Sequence, residues 1–166
     1  MRPNGLTYRA AFLTPTEEGE LLDRIEPLAF QEVRMKGVVA RRTVIHYGFD
    51  YDYEGWKIRP TEGAPEWLGP LVQRAAATAG VEADSLRQLM IARYPPGAAI
   101  GWHRDAPMFG SPVIGVSLGA ASTMKFRRPS DGAKYALLLE PRSLYILDGE
   151  ARRDWQRSIP PSAKTR

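Results

Sequence analysis

The sequence predicts a mainly β protein with flanking helices. Two amphipathic helical patterns occur before residue 86, and short apolar or alternating runs separated by turn residues follow it. Many short strands at this spacing indicate a sandwich or barrel. The chain has 166 residues, of which 43% are hydrophobic, so it can bury a core but is too short for two full domains.

The first helix is predicted from Pro15 to Ile25. Thr14 provides an N-cap, Pro15 suits the first helical position, and Glu17 stands three residues after the cap. Leucine and isoleucine residues then recur at helical spacing. A second amphipathic helix is predicted from Glu66 to Ala79 and ends at Gly80, with Pro70 kinking it or delaying its start.

The segment between the helices, "ARRTVIHYGFDYDYEGWKIRP", is interpreted as a hairpin and surface loop. Beyond residue 86, strands are predicted in the runs "LRQLMIARY", "AAIGWH", "PVIGVSL", "STMKFRR", "YALLLE" and "SLYILD". We expect a single domain over 1–166, in which 1–85 supply the helices and the hairpin and 86–166 supply the β core.

Composition narrows the possible chemistry. The chain has no cysteine, which excludes disulfides, thiolate zinc sites and cysteine nucleophiles, so a metal would be held by nitrogen and oxygen. The net charge is +4, and 18 arginines stand against 5 lysines, a bias that suits phosphate or carboxylate contacts, although many basic proteins are merely arginine-rich. No signal peptide or membrane-spanning apolar run is apparent, so a cytoplasmic protein without membrane contact is expected.

The stretch "IGWHRDAPMFG" contains the main candidate for a metal site. Residues two apart in an extended segment project from the same face, so His103 and Asp105 can offer a nitrogen and an oxygen to one ion. The alternative is a histidine that is merely hydrogen-bonded to a nearby aspartate. A His-x-Asp pair with a distant second histidine is typical of non-heme Fe(II) oxygenases, which predicts that a second histidine should exist.

Two longer segments, "RYPPGAAIGWHRDAPMFGSPVIGVSLGAASTMKFRR" and "YALLLEPRSLYILDGEARRDWQRSIPP", resemble the AlkB-type dioxygenases, which depend on 2-oxoglutarate and Fe(II) and repair or demethylate alkylated nucleobases. The resemblance covers roughly Arg41 to Arg166, with the motifs in the same order. It implies a double-stranded β-helix, or jelly roll, lacking the last C-terminal strand.

In the same family, the second histidine ligand follows a Trp-x step, and here "DWQRSIPP" places Arg157 at that position. A guanidinium has no lone pair to donate and would repel a cation. The resemblance therefore implies His103 and Asp105 as metal ligands and catalytic residues, with the third-ligand position occupied by Arg157. His46, the other histidine, would belong to the substrate lid; it either substitutes as a ligand or is an ordinary strand residue.

The co-substrate contacts implied by the resemblance are Tyr94, which would hydrogen-bond 2-oxoglutarate, and Arg166, which would clamp its distal carboxylate. The second arginine of the family and its strand are expected to be missing. The alternatives are that Tyr94 is an ordinary sheet tyrosine and Arg166 a frayed terminal charge. Arg152 and Arg153 are interpreted as candidates for solvated surface charges.

A nucleotide-facing lid is expected between residues 41 and 56, where aromatic rings alternate with cations that can stack on bases and contact phosphates. Any single aromatic there could instead be a core residue. The candidate substrate-binding residues are Arg41, Arg42, Phe49, Tyr51, Tyr53 and Trp56.

The resemblance implies oxidative dealkylation of alkylated DNA or RNA with Fe(II) and 2-oxoglutarate, on a base flipped out of its stack, by a monomer. The alternative is an AlkB-like domain that binds nucleic acid or a protein without turnover, which Arg157 supports.

Overall fold

The computed structural model describes residues 1–35, 37–52 and 57–162. These residues form two compact units. The first comprises residues 1–28 together with those from 94 onward, and the second comprises residues 29–93. The units do not divide at residue 85, the internal boundary expected from the sequence; the single-domain assignment itself stays a prediction.

The described strands are, in chain order, β1 (Leu6–Arg9), β2 (Gln31–Met35), β3 (Val38–Tyr47), β4 (Phe49–Asp52), β5 (Lys57–Pro60), β6 (Leu89–Arg93), β7 (Ile100–His103), β8 (Val113–Val116), β9 (Ser122–Arg127), β10 (Lys134–Leu139), β11 (Leu144–Leu147) and β12 (Gln156–Ile159). The described α-helices are α1 (Pro15–Ile25), α2 (Gly69–Ala79) and α3 (Gly149–Arg153). None of them is long and apolar enough to cross a membrane.

The first unit is built from two antiparallel sheets, with strand orders β1-β11-β8 and β10-β9-β12-β7. Their alternating apolar residues form one buried cluster, in which Leu6 and Leu147 come from one sheet and Met124, Phe126 and Leu137 from the other. Burial of each such side chain contributes about 1.5–3 kcal/mol to stability. The six strands predicted beyond residue 86 are confirmed in position.

Helix α1 confirms the prediction from the sequence. The Thr14 hydroxyl accepts from the Glu17 backbone N–H at 3.1 Å, and the Glu17 carboxylate accepts from the Thr14 N–H at 3.0 Å, which completes the capping box. Glu18 then connects the helix to the sheets, because its carboxylate accepts from Arg142 and from the Gly119 backbone, each at 3.1 Å.

The second unit contains a three-stranded sheet of order β2-β3-β6 and the two-stranded ribbon β4-β5. The sequence interpretation of residues 40–60 as a hairpin and surface loop was wrong for its first part. Strand β3 is ten residues long and pairs on both sides, with β2 and with β6. Helix α2 begins at Gly69 after a short 3-10 turn, as Pro70 allows, and ends where Gly80 adopts a left-handed conformation with φ of 73°.

Candidate functional site

His103 and Arg157 lie opposite each other in the antiparallel pairing of β7 with β12. Arg157 is also in register with Phe126 of β9, a core residue that is only 1% exposed. Because residues directly across an antiparallel pair share one face of the sheet, Arg157 and His103 project toward the inside of the first unit. Asp105 follows His103 by two residues, which brings it to the same place.

The centre of the site is a charged cluster of Asp105, Arg157 and Tyr145. Nη2 of Arg157 donates to both carboxylate oxygens of Asp105, at 2.5 and 2.6 Å. Nη1 of Arg157 donates to the Tyr145 hydroxyl at 2.7 Å. The Arg157 side chain is 13% exposed, so these interactions take place largely away from water.

The pKa values of the pair follow from this geometry. Burial alone raises the pKa of Asp105, but the positive charges of Arg157 and His103 and the hydrogen bond from Arg157 outweigh it, so the pKa lies below 3.8. Burial lowers the pKa of Arg157, while Tyr145 and Asp105 raise it by more, and it ends above its ordinary value. Both groups are therefore charged at neutral pH and stabilise each other.

Tyr145 reaches Arg157 because Gly115 leaves room for its ring. The two residues are partners in the pairing of β11 with β8. A β-carbon at Gly115 would overlap the Tyr145 ring, so any larger residue there would push the ring aside. Gly115 thus fixes the hydroxyl that completes the environment of Arg157.

Arg152 holds the loop that carries Asp105. Its three guanidinium nitrogens donate to the backbone carbonyls of Gly110, Asp105 and Ala106, at 2.9, 3.0 and 3.0 Å. The residue is 6% exposed, so the interpretation of Arg152 as a solvated surface charge was wrong. Its neighbour Arg153 is exposed.

The two histidines lie in different units. Nδ1 of His103 is 2.8 Å from the carbonyl oxygen of Gly101, and since a carbonyl only accepts, this nitrogen carries the proton. His46 lies in β3 of the second unit, where its Nδ1 is 3.0 Å from Nε2 of Gln88. The Gln88 amide donates to Nδ1, so His46 has a hydrogen-bond partner within the second unit.

The remaining candidates from the sequence are only partly described. Tyr94 is half-buried, Arg41 is exposed and Arg42 is half-buried, while Phe49 and Tyr51 belong to β4 and their side chains lie outside the described part of the structure. Tyr53, Trp56 and Arg166 lie outside the described residues altogether. The roles of all these residues stay predictions.

Comparison with known proteins identifies the family. The family profile described as the 2OG-Fe(II) oxygenase superfamily matches residues 5–166. The chain belongs to this superfamily.

Relatives place it on the AlkB-like branch of the 2OG-Fe(II) oxygenases. The tRNA (carboxymethyluridine(34)-5-O)-methyltransferase alkbh8 of Xenopus tropicalis is 29% identical over 164 residues, which are 96% of this chain and 26% of that protein. The alpha-ketoglutarate-dependent dioxygenase AlkB of Escherichia coli is 34% identical over 98 residues, 57% of this chain and 45% of that protein. This chain thus spans about a quarter of the length of the alkbh8 relative.

Solved structures confirm the fold. OsALKBH1 superimposes with a TM-score of 0.73 at 16% identity, covering 97% of this chain and 86% of that one. The fold is therefore the double-stranded β-helix that the sequence resemblance implied. The absence of a final strand stays a prediction.

Membership of the 2OG-Fe(II) oxygenases implies an iron ion and 2-oxoglutarate, but the side chains of this site fit the metal only in part. His103 and Asp105 are suitable donor types, but Arg157 directs N–H groups at both oxygens of Asp105 and places a positive charge where a cation would bind. No group of three potential ligands among His, Cys, Asp and Glu occurs in residues 1–35, 37–52 and 57–162. The described side chains do not fit a three-ligand iron centre.

Two residues of this oxygenase-like site, Tyr145 and Arg152, were not identified as site residues from the sequence. Tyr145 stands 12 positions before Arg157 and is placed by strand register, for which the sequence has no local signal beyond its position in the apolar run "SLYILD". Arg152 stands beside a second arginine of the same charge, and only its burial distinguishes the two.

Proposed function

We propose that this chain is an AlkB-like nucleic-acid-binding domain that works without iron, and that Arg157 occupies the position of the third metal ligand. The observation that carries the proposal is the guanidinium of Arg157 bound to both oxygens of Asp105. In this arrangement the arginine supplies the positive charge that a metal ion would otherwise bring to the carboxylate.

Replacing the Arg157 guanidinium by a metal ion is unfavourable in the folded protein. To bind a metal, Asp105 would have to release Arg157, and Tyr145 would then be the remaining hydrogen-bond partner of this largely buried guanidinium among the described residues. Removing one member of a buried ion pair costs about 3–5 kcal/mol. A metal held by two protein ligands would have to offset that cost while standing near a cation.

Two lines of support point to nucleic acid as the partner. The net charge is +4, and arginine, which contacts phosphates with two parallel hydrogen bonds, makes up most of the cations. The alkbh8 relative is named as a methyltransferase of tRNA, and the region that matches includes 96% of this chain and 26% of that protein. We extend that partner class to this chain.

The test measures binding and turnover separately. A fluorescein-labelled single-stranded oligonucleotide should bind with the same affinity in EDTA and in Fe(II) plus 2-oxoglutarate, and the protein should form no succinate from 2-oxoglutarate. Binding that disappears in EDTA, or iron-dependent succinate formation, would contradict the proposal.

A second assay addresses Arg157 directly. Arg157→His supplies a third ligand and frees Asp105, whereas Arg157→Gln frees Asp105 without supplying a good ligand. Titration with Mn(II), followed by calorimetry, should show the histidine variant binding at least about 10-fold more tightly than the wild-type chain, with the glutamine variant in between. Equal affinities for all three proteins would refute the assignment of Arg157 to the ligand position.

The predicted lid around Arg41 is also a proposal. Neighbouring residues of a strand project to opposite faces, and Arg41 is exposed while Arg42 is half-buried. Arg41→Ala should therefore weaken oligonucleotide binding more than Arg42→Ala, and should reduce the slope of log affinity against log salt by about 0.7. If Arg41→Ala and Arg42→Ala both bind the oligonucleotide with wild-type affinity, these two lid residues have no role in binding.

Oxidative dealkylation of nucleobases is the second candidate. It is favoured by the 34% identity to AlkB of Escherichia coli, which is named a dioxygenase dependent on alpha-ketoglutarate. Release of succinate by the wild-type chain, stimulated by an alkylated oligonucleotide, would establish this candidate and displace the first.

A further inference from the structure

The sheet β10-β9-β12-β7 has a second face that the core does not use. In β9, Met124 and Phe126 are buried, so the alternate residues Lys125 and Arg127 project to the opposite side. Register extends this side across the sheet, because Arg127 is in register with Lys134 of β10 and with Gln156 of β12. A row of polar side chains therefore crosses three strands.

An aromatic ring stands at one end of this row. Trp102 of β7 precedes His103, which faces inward, so the indole faces outward, and it is 39% exposed. The guanidinium of Arg127 lies 4.5 Å from the centre of the indole ring, and its Nε donates to the Gln156 side chain at 2.7 Å. Residues of two neighbouring strands, Trp102 of β7 and Gln156 of β12, thus contact the Arg127 guanidinium.

We define the outer basic face as Trp102, Lys125, Arg127 and Lys134. Strands β7, β9, β10 and β12 contain no aspartate or glutamate. Lys125 and Lys134 are exposed, and within the described ranges none of the three cations of this face forms an ion pair. Asp131 and Glu150, two acidic residues that follow β9 in the chain, both bind Arg128. Among the described residues, the three cations of the face therefore have no carboxylate in direct contact with them.

We propose that the outer basic face binds single-stranded nucleic acid, with phosphates on its cations and a base on Trp102. An exposed indole beside uncompensated cations is the arrangement that binds single strands without sequence preference. In a duplex the bases are stacked on each other, so their faces are not accessible to the indole. The inference rests on the proposed nucleic-acid partner, but it assigns the contact to a surface other than the Arg41 lid.

The experiment uses the full chain and two pairs of variants. Lys125→Ala with Lys134→Ala removes two cations from the face, and Arg9→Ala with Arg24→Ala removes two exposed cations from β1 and α1 as a charge-matched control. Trp102→Ala removes the stacking surface, while Trp102→Phe keeps a smaller ring. Anisotropy of labelled 12-nucleotide RNA and DNA single strands, and of a 12-base-pair duplex, is measured over a series of salt concentrations.

The Lys125/Lys134 double variant should bind both single strands more weakly than the control and reduce the salt slope by about 1.4. Trp102→Ala should weaken single-strand binding about 5- to 100-fold, with Trp102→Phe in between, and should leave the duplex little affected. Circular dichroism spectra serve as the control that each variant is folded.

Two outcomes separate this inference from the proposed function. If the wild-type chain binds single strands and the Lys125/Lys134 variant behaves like its charge-matched control, this inference alone is overturned. If the wild-type chain binds no nucleic acid at all, the proposed function fails and this inference fails with it. A loss confined to Arg41→Ala would assign binding to the lid and overturn the outer face.

Discussion

The inner and outer faces of the sheet β10-β9-β12-β7 use arginine in opposite ways. Arg157, on the inner face, is enclosed by a carboxylate and a phenol that satisfy its charge. Arg127, on the outer face, rests on an indole and an amide, neither of which carries a charge. Gln156, which accepts from Arg127, and Arg157 are consecutive residues of β12, so neighbouring positions of one strand contribute to the two opposite faces.

The largest expected effect distinguishes the inner ion pair of Asp105 and Arg157 from an ion pair with an exposed carboxylate. Asp105→Ala leaves Arg157 largely buried without its carboxylate, and we expect the free energy of unfolding to fall by about 3–5 kcal/mol in urea denaturation. Asp131→Ala is the matched control, because its exposed carboxylate also binds an arginine, Arg128, at 2.6 Å. It should change stability little, and equal losses for the two variants would contradict the distinction. If Asp105→Ala does not fold, Asp105→Asn provides the same comparison with a smaller loss.

Gly115→Ala should have the next largest effect. The added methyl group overlaps the Tyr145 ring and forces it away from Arg157, which we expect to cost about 1–3 kcal/mol. Tyr145→Phe, which removes only the hydroxyl acceptor, should cost about 0.5–1.5 kcal/mol. A Gly115→Ala protein as stable as the wild type would show that the ring has room to move.

Acid should weaken the inner pair in a predictable direction. The pKa of Asp105 in the folded protein lies below its ordinary value of 3.8, so its contribution to stability is complete well above that pH and is lost as the pH falls below it. Arg157 stays charged throughout this range. Wild type and Asp105→Asn, compared by urea denaturation from pH 7 to pH 3, should therefore converge in stability at the acid end.

Asp131 also titrates at acid pH, but it does not affect the comparison of wild type with Asp105→Asn. Its hydrogen bond with Arg128 lowers its pKa to about 2, and it titrates in both proteins, so its contribution cancels in the difference. A constant difference between wild type and Asp105→Asn down to pH 3 would contradict a titrating Asp105.

The smallest effect is expected on the outer face. Arg127→Ala and Gln156→Ala should each change the free energy of unfolding by less than about 1 kcal/mol, since an exposed cation–π contact contributes about 0.5–1 kcal/mol. Both variants should nevertheless alter the fluorescence emission of Trp102. A loss of stability as large as that of Asp105→Ala would mean that the outer face supports the fold as strongly as the inner pair.

Locally determined features were predictable from the sequence. The start of helix α1 is fixed by Thr14 and Glu17, which lie three residues apart and hydrogen-bond each other. The strands after residue 86 are bounded by turns that contain proline and glycine. Strand β3 was partly missed because one of its two pairing partners, β6, begins only at Leu89, about 40 residues after β3 ends, so the sequence around β3 does not show that it pairs on both sides. Its own mixture of arginine and aromatic residues does not indicate such a central position.

In the candidate site, too, the residues in recognisable motifs could be predicted, and those placed by distant contacts could not. The order of motifs suggested that His103, Asp105 and Arg157 belong together, and the register of β7 with β12 places His103 opposite Arg157. Tyr145 could not be predicted, since its contact with Arg157 depends on how one sheet lies over the other. Arg152 could not be distinguished from Arg153 because its partners lie 42 to 47 residues earlier in the chain.

Arg152 also determines how the loop bearing Asp105 can vary in evolution. It contacts carbonyl oxygens, which every amino acid provides, so it recognises the path of the backbone and not the side chains along it. A new side chain at Ala106 would leave the contact in place. At position 152, by contrast, no other side chain offers three directed donors to three carbonyls. Side chains such as that of Ala106 can thus change while Arg152 keeps the path of the backbone that carries Asp105.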